Sequence, residues 1–257
     1  MPAGSSLAQI LERSYSLLSD TYRSEYFYKN LIANKIVVGR HRASNVVMLN
    51  EFSIGGSVAD CVFLNGSSAI YEIKTELDSP EKLHRQLDSY YRAFSNVFVV
   101  AHENSAERYL RELLDTPAGL LVVGPRGRLS PIRRARADES RLDVQTMFNA
   151  LRQGEVEHIL TEEFGPLPPV ANGLRYAERL SLAQRMDPRS FQRGMQAELK
   201  KRSLRADKEF ITAPELLPLR ALLLQMNPTQ AQAANLSRWL QLQEDDGVLP
   251  ISQGKAV

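Results

Sequence analysis

The sequence has very little cysteine: Cys61 is alone among 257 residues. A single thiol cannot form an internal disulfide, which excludes a small scaffold stapled by its own bridges. Cys61 sits in the apolar run Cys61-Val62-Phe63-Leu64, a setting that predicts a buried, reduced thiol. Histidine is scarce too. His41, His84, His102 and His158 share no metal-ligand spacing and have no cysteine pair to join, which argues against a zinc site. An excess of one charge is also missing, since 32 Lys and Arg against 30 Asp and Glu leave a net charge of only +2. Overall charge therefore neither demands nor excludes a nucleic-acid partner, and the distribution of charge must decide. No apolar run is long enough to span a bilayer. The opening Met1 to Ser6 has no basic region followed by an apolar stretch. These absences predict a soluble, cytoplasmic protein with no membrane partner. Ser57 and Cys61 have no adjacent base, which argues against nucleophilic catalysis, and Gly55-Gly56 lacks the spacing of a phosphate-binding loop.

What is present begins with an ordinary hydrophobic content, 43%, sufficient for a real core. Residues 7–33 carry a helical pattern through Leu7, Ile10, Leu11, Tyr15 and Leu18, then Tyr22, Tyr26, Leu31 and Ile32. The period then changes. Ile36-Val37-Val38 and Val46-Val47-Met48-Leu49 are short β-branched or apolar runs, and Gly55-Gly56 breaks the second one. Val58–Leu64 and Ala69–Thr75, separated by the turn chemistry of Asn65-Gly66-Ser67, read as a β-hairpin. Ser79-Pro80-Glu81 opens a predicted helix that runs to about Ser95. A buried strand (97–101), a helix (about 105–114) and a strand (120–123) follow. The fold class expected is α/β, a mixed central sheet flanked by helices. The organisation expected is a core over residues 1–135 and an all-helical extension over 136–257.

The chemistry gathers on the second hairpin strand. Side chains alternate along a strand, so Ile70, Glu72 and Lys74 share one face. If residues 65–67 form a three-residue loop, Leu64 faces Ser68 and Asp60 falls opposite Glu72. Two adjacent carboxylates repel, and a Mg²⁺ or Mn²⁺ ion between them resolves the conflict. The backbone carbonyl of Ile73 offers a further oxygen. Lys74 is placed to orient a water or to stabilise charge developing on a phosphate.

Asp60, eleven residues, then Glu72-Ile73-Lys74 resembles the signature of the PD-(D/E)XK nuclease superfamily. Its restriction-endonuclease-like core of helix, three-strand meander, helix and strand matches the order over roughly residues 20–102. More narrowly, the stretch from Tyr71 to Asp78, with Leu83, Arg85-Gln86-Leu87 and Tyr90, is similar to a small group of uncharacterised bacterial and phage-associated nuclease-like proteins. Gln86 and Tyr90 lie four apart on one helix face, as in the Gln-x-x-x-Tyr element of the branch resembling the RecB nuclease domain. Glu25, on an early helix, stands where many members carry another acid that faces the metal; Glu51 is the alternative. Ala59 replaces the proline that names the motif.

The resemblance implies a nuclease using Mg²⁺ or Mn²⁺, acting on DNA rather than RNA. Asp60, Glu72, Ile73 and Glu25 would hold the metal. Lys74 would act on the water, Gln86 would position water or substrate, and Tyr90 would face the nucleic acid. Arg126, Arg128, Arg133 and Arg134 cluster just beyond the core and suit phosphate contact. A second basic stretch, from Arg185 to Lys208, reads equally well as a solvated helix face. The alternative function is an inactive nuclease-fold module that binds DNA or a protein. A protein partner through the helical extension and a homodimer are both compatible with the sequence.

Overall fold

The computed structural model describes residues 5–21, 23–39, 46–64, 68–202 and 206–242. Helices α1 (Leu7–Thr21) and α2 (Glu25–Gly39) lead into β1 (Val47–Ile54), β2 (Ser57–Leu64) and β3 (Ser68–Lys74). Then come α3 (Leu83–Tyr91), β4 (Val97–His102), α4 (Ala106–Glu112), β5 (Gly119–Val123) and β6 (Leu129–Arg133). The rest is helical: α5 (Val144–Ala150), α6 (Gln153–Phe164), α7 (Asn172–Ala183), α8 (Pro188–Lys200), α9 (Lys208–Thr212), α10 (Arg220–Met226) and α11 (Gln230–Leu240). The strands form one mixed sheet in sequence order. The β1–β2 and β2–β3 pairs are antiparallel, β3, β4 and β5 run parallel, and β6 returns antiparallel to β5. The α/β class and the helical C-terminal part follow the sequence pattern.

Two hairpin geometries fix the register. Gly55 and Gly56 both have positive φ, +56° and +84°, and join Ile54 directly to Ser57, as a tight two-residue turn between right-twisted strands requires. Leu64 pairs with Ser68, the register that places Asp60 against Glu72. The Asn65-Gly66-Ser67 turn itself lies outside the described residues, as do His41 and Arg205.

Helices cover both faces. On one, Val62, Leu64, Ile70, Val99 and Leu120 pack with residues of α3 and α5–α8, such as Leu87, Met147, Leu160, Phe191 and Leu199. On the other, Cys61, Phe63, Ile73 and Val100 pack with Phe27, Tyr28 and Ile32 of α2 and with Leu223 and Leu224 of α10. The C-terminal helices are therefore part of both cores. Polar ties reinforce this packing: Gln192 of α8 donates to the Ala93 carbonyl at 2.9 Å, and Asn30 of α2 accepts from Ala221 N–H at 2.9 Å.

Three local expectations are corrected. Ile36-Val37-Val38 is not a strand but the end of α2, because extending a nucleated helix adds one hydrogen bond for each residue fixed. The helix expected from Ser79 begins at Leu83 and ends at Tyr91. Before it, Asp78 accepts from both the N–H and the hydroxyl of Thr75, each at 2.7 Å, and holds a turn instead. Finally, β6 forms over residues 129–133, where the sequence pattern gave no strand. Pro131 is tolerated there because β6 is an edge strand.

Candidate active site

The site forms where the first three strands part company. The β1–β2 ladder runs through Asn50↔Cys61 and resumes at Phe52↔Ala59, so Glu51 and Asp60 face each other at the interruption. The β2–β3 ladder ends at Cys61↔Tyr71, which leaves Asp60 opposite Glu72 one step beyond. Three carboxylates thus fall in one row across three adjacent strands. Both hairpin strands also change faces here. Leu49 and Val62 share one core with Phe52 and Ala59, although strict alternation would put these pairs on opposite sides. Glu51 marks the switch with a left-handed backbone, φ +52°. In the gap, Asp60 Oδ2 accepts from the Ile73 N–H at 2.6 Å, replacing the strand carbonyl that would otherwise be there.

Glu72 is buried and fully engaged. Lys74 Nζ donates to its Oε1 at 2.8 Å, Gln86 Nε2 donates to the same oxygen at 2.6 Å, and the Tyr90 hydroxyl donates to Oε2 at 2.6 Å. Lys74 also donates to Gln86 Oε1 at 2.9 Å, closing a ring of three side chains. Burial, then the charge of Glu72, pushes the Tyr90 hydroxyl well above its ordinary range, so it stays protonated and donates. This geometry explains the four-residue spacing of Gln86 and Tyr90: one turn of α3 presents both to one carboxylate.

A second acidic group lies beside the first. Carboxylate oxygens of Glu25, Glu51 and Asp60 come within 4.8 Å of one another. Glu25 opens α2, and Glu25 and Glu51 both take the ammonium of Lys29, at 2.6 Å in the case of Glu25. The Asp60 carboxyl is pushed up to about 7, first by burial, then by the nearby charge of Glu72, with Glu25 adding to it. The two acids left as alternatives by the sequence, Glu25 and Glu51, both reach Asp60. Glu72 stands outside this group, because its oxygens are held by Lys74, Gln86 and Tyr90.

Sequence reasoning missed Lys29, although Glu25 and Lys29 have the four-residue spacing of a helical ion pair. It also missed Arg23, whose guanidinium lies 3.4 Å from His102 Nε2 and 3.6 Å from Glu103 at the same sheet edge. Nothing in the pattern signals that contact.

The residues expected to meet nucleic acid divide. Arg126 and Arg128 are exposed on the turn after β5, at the edge where β3 and β4 end in Lys74 and His102. Arg134 is exposed beyond β6. Two expectations are corrected. Arg133 is committed to the carbonyls of Leu113, Leu114 and Thr116, where it caps the end of α4. Tyr90 is fully buried against Glu72, so it positions that acid and presents no surface to a nucleic acid.

No helix among the described residues is long and apolar enough to cross a membrane. Neither a curated protein nor a solved structure matches the chain. The sequence model of the family described as Bacteriophage P4 protein cII matches residues 18–220, a span that contains both acidic groups, the whole sheet and helices α2–α9. The chain belongs to the bacteriophage P4 protein cII family.

Proposed function

We propose that this protein is a metal-dependent nuclease of the PD-(D/E)XK kind that hydrolyses phosphodiester bonds, with DNA as its substrate. The observation that carries the reading is the crowding of Glu25, Glu51 and Asp60 beside the Glu72–Lys74 pair. Three carboxylates against the single ammonium of Lys29 leave two negative charges, the charge of one divalent cation. The donors are all carboxylate oxygens, the chemistry that Mg²⁺ and Mn²⁺ prefer. Glu25, Glu51 and Asp60 would hold the ion, and Glu72 lies next in the row. When bound, such an ion supplies Lewis-acid polarisation of a phosphate oxygen.

The chain's own residues supply the rest. Lys74 has three N–H donors, of which Glu72 and Gln86 take two. The third is available to a phosphate oxygen, where positive charge stabilises the charge that develops during attack. Glu72, gripped by Gln86 and Tyr90, holds the ammonium in place. Asp60, whose carboxyl burial and the charge of Glu72 push up to about 7, would be held in its charged form by the bound ion. Arg126 and Arg128, exposed at the same edge, suit contact with the flanking backbone phosphates.

The test is cleavage of circular DNA, linear duplex, single-stranded DNA and RNA, with Mg²⁺ or Mn²⁺ against chelator. Metal-dependent cutting of DNA that falls at least about a hundredfold in Asp60→Asn is expected. DNA binding without cleavage under every metal tested would replace this reading with that of a nucleic-acid-binding module. Neither binding nor cleavage would remove nucleic acid from the account.

A further inference from the structure

A hollow among the C-terminal helices shares no residue with the acidic groups. Helices α5, α6 and α7 enclose this hollow of about 430 Å³, lined by aromatic, amide and charged side chains. That volume suits a small organic molecule. Arg175, Arg179 and Glu157 line this hollow and also a second one of about 420 Å³, walled by Pro168 and Pro169.

The charges are unbalanced. Two guanidiniums meet one carboxylate, each Nε standing 3.8 Å from Glu157 Oε1, beyond hydrogen-bond reach. The Arg179 side chain is only 9% exposed; its Nη2 donates to the Pro168 carbonyl at 2.8 Å, and its Nε has no hydrogen-bond partner among the described residues. Two guanidiniums against one carboxylate leave a surplus positive charge, which an anionic oxygen complements.

The remaining lining combines the aliphatic Leu151 and Val156 with aromatic and amide side chains. Tyr176 is a half-exposed aromatic held at both ends: its ring meets Phe148 edge-on at 5.4 Å, and its hydroxyl donates to Asn149 Oδ1 at 2.9 Å. A pinned aromatic face loses little entropy when a second ring stacks on it. Asn149, Gln153 and Asn172 border the same hollow, and carboxamides supply both donors and acceptors to a heterocycle's edge. We propose that this hollow is a binding site for a nucleoside monophosphate. The phosphate would lie at Arg175 and Arg179, and the base on Tyr176 among the amides.

The experiment is calorimetric titration of the full chain, in chelator, with adenosine, guanosine, cytidine and thymidine monophosphates, with a nucleoside and with inorganic phosphate. At least one monophosphate should bind with one-to-one stoichiometry, at least tenfold more tightly than its nucleoside or phosphate alone. Arg175→Gln and Asn149→Ala, at partly or fully exposed positions, should each weaken binding at least fivefold while leaving the melting temperature within about a degree. Asp60→Asn should bind like the wild type, which keeps this test separate from the nuclease reading. Absence of saturable binding by all four monophosphates at millimolar concentration would overturn the proposal. So would binding that survives both pocket variants, or binding that is lost in Asp60→Asn.

Discussion

Two acidic groups lie side by side at one sheet edge and are built in opposite ways. Around Glu72 every charge is met: each carboxylate oxygen takes a donor, and Lys74 closes a ring with Gln86. Around Asp60 the repulsion is left standing. Glu25 and Glu51 share one ammonium, and among the described residues Asp60 accepts a hydrogen bond from the Ile73 N–H alone. The first arrangement fixes a geometry at the cost of desolvating its members, and its carboxylate has no residual demand for a cation. The second keeps an electrostatic demand that a cation relieves. On the proposed function, in which one lysine is held rigidly and an ion is accepted, the two tasks fall to different carboxylates.

The largest effect should come from breaking the closed group at its cationic member. Lys74→Ala is expected to lower metal-dependent DNA cleavage by roughly a hundredfold or more, the scale of losing one transition-state stabiliser, with DNA affinity within a few fold of wild type. Single-turnover rates at saturating DNA measure this directly. An equal fall in affinity and rate would make Lys74 a ground-state contact and erase the division of labour.

The open group should reveal itself through pH. The Asp60 carboxyl stands near 7 in the folded chain against an ordinary value of 3.8. Between these values the folded protein keeps a proton that the unfolded chain has released, so folding stability falls as pH rises through that window and levels off above it. Asp60→Asn carries no such penalty. In chelator, the variant should gain on the wild type between pH 4 and pH 7 by about 1–3 kcal/mol, read by urea melts at matched ionic strength. Adding Mg²⁺ or Mn²⁺ at pH 8 should reverse the order. A wild type that is the more stable protein in chelator at pH 8 would show that the crowding is already relieved.

Tyr90→Phe asks whether the two groups are separate. The variant keeps the ring in the core but removes the hydroxyl that meets Glu72 Oε2 and approaches the Val58 carbonyl at 2.8 Å. A lost bond to a buried charge should cost about 1–2 kcal/mol of stability. Mn²⁺ affinity should stay within a few fold, because the Tyr90 hydroxyl bonds to Glu72 and the Val58 carbonyl and not to Glu25, Glu51 or Asp60. If affinity falls as far as in Asp60→Asn, the groups act as one site.

The closed group was largely legible in the sequence. Strand parity put Glu72 and Lys74 on one face, and helical spacing put Gln86 and Tyr90 together; the burial of Tyr90 was misjudged, because spacing fixes neighbours but not exposure, and Glu72, expected to hold the metal, is taken up by Lys74, Gln86 and Tyr90. The open group was legible in part. A two-residue Gly55-Gly56 turn implies Ile54↔Ser57, and counting back from that pair gives Glu51↔Asp60. The arrival of α2 over the same edge is a tertiary fact with no local signal. The same holds for Arg133, whose role depends on where α4 happens to end. In the fold, β6 was hidden by Pro131 and by the arginines on either side of it, and the strand-like composition of Ile36-Val37-Val38 was overridden by the helix already running into it. The helical texture after residue 136 was plain, but its division between two faces of the sheet was not, since apolar positions on short helices do not say which surface they meet.

The smallest effect separates backbone from charge at the point where the two groups meet. Glu51 holds a left-handed conformation, φ +52°, that a side chain disfavours and glycine does not. Glu51→Gly and Glu51→Ala both delete the carboxylate and the Lys29 ion pair, a pair half open to solvent and worth little by itself. They differ only in the backbone. In chelator the glycine variant should therefore be more stable than the alanine variant by about 0.5–1 kcal/mol, despite glycine's larger loss of chain entropy on folding. Both should bind Mn²⁺ more weakly than wild type, and by the same factor, since both lack the same oxygen donor. Alanine matching or exceeding glycine in stability would mean that the strand switch at Glu51 is unstrained. Unequal metal affinities would mean that the shape of the hairpin at this switch, and not the carboxylate alone, sets the open group's hold on a cation.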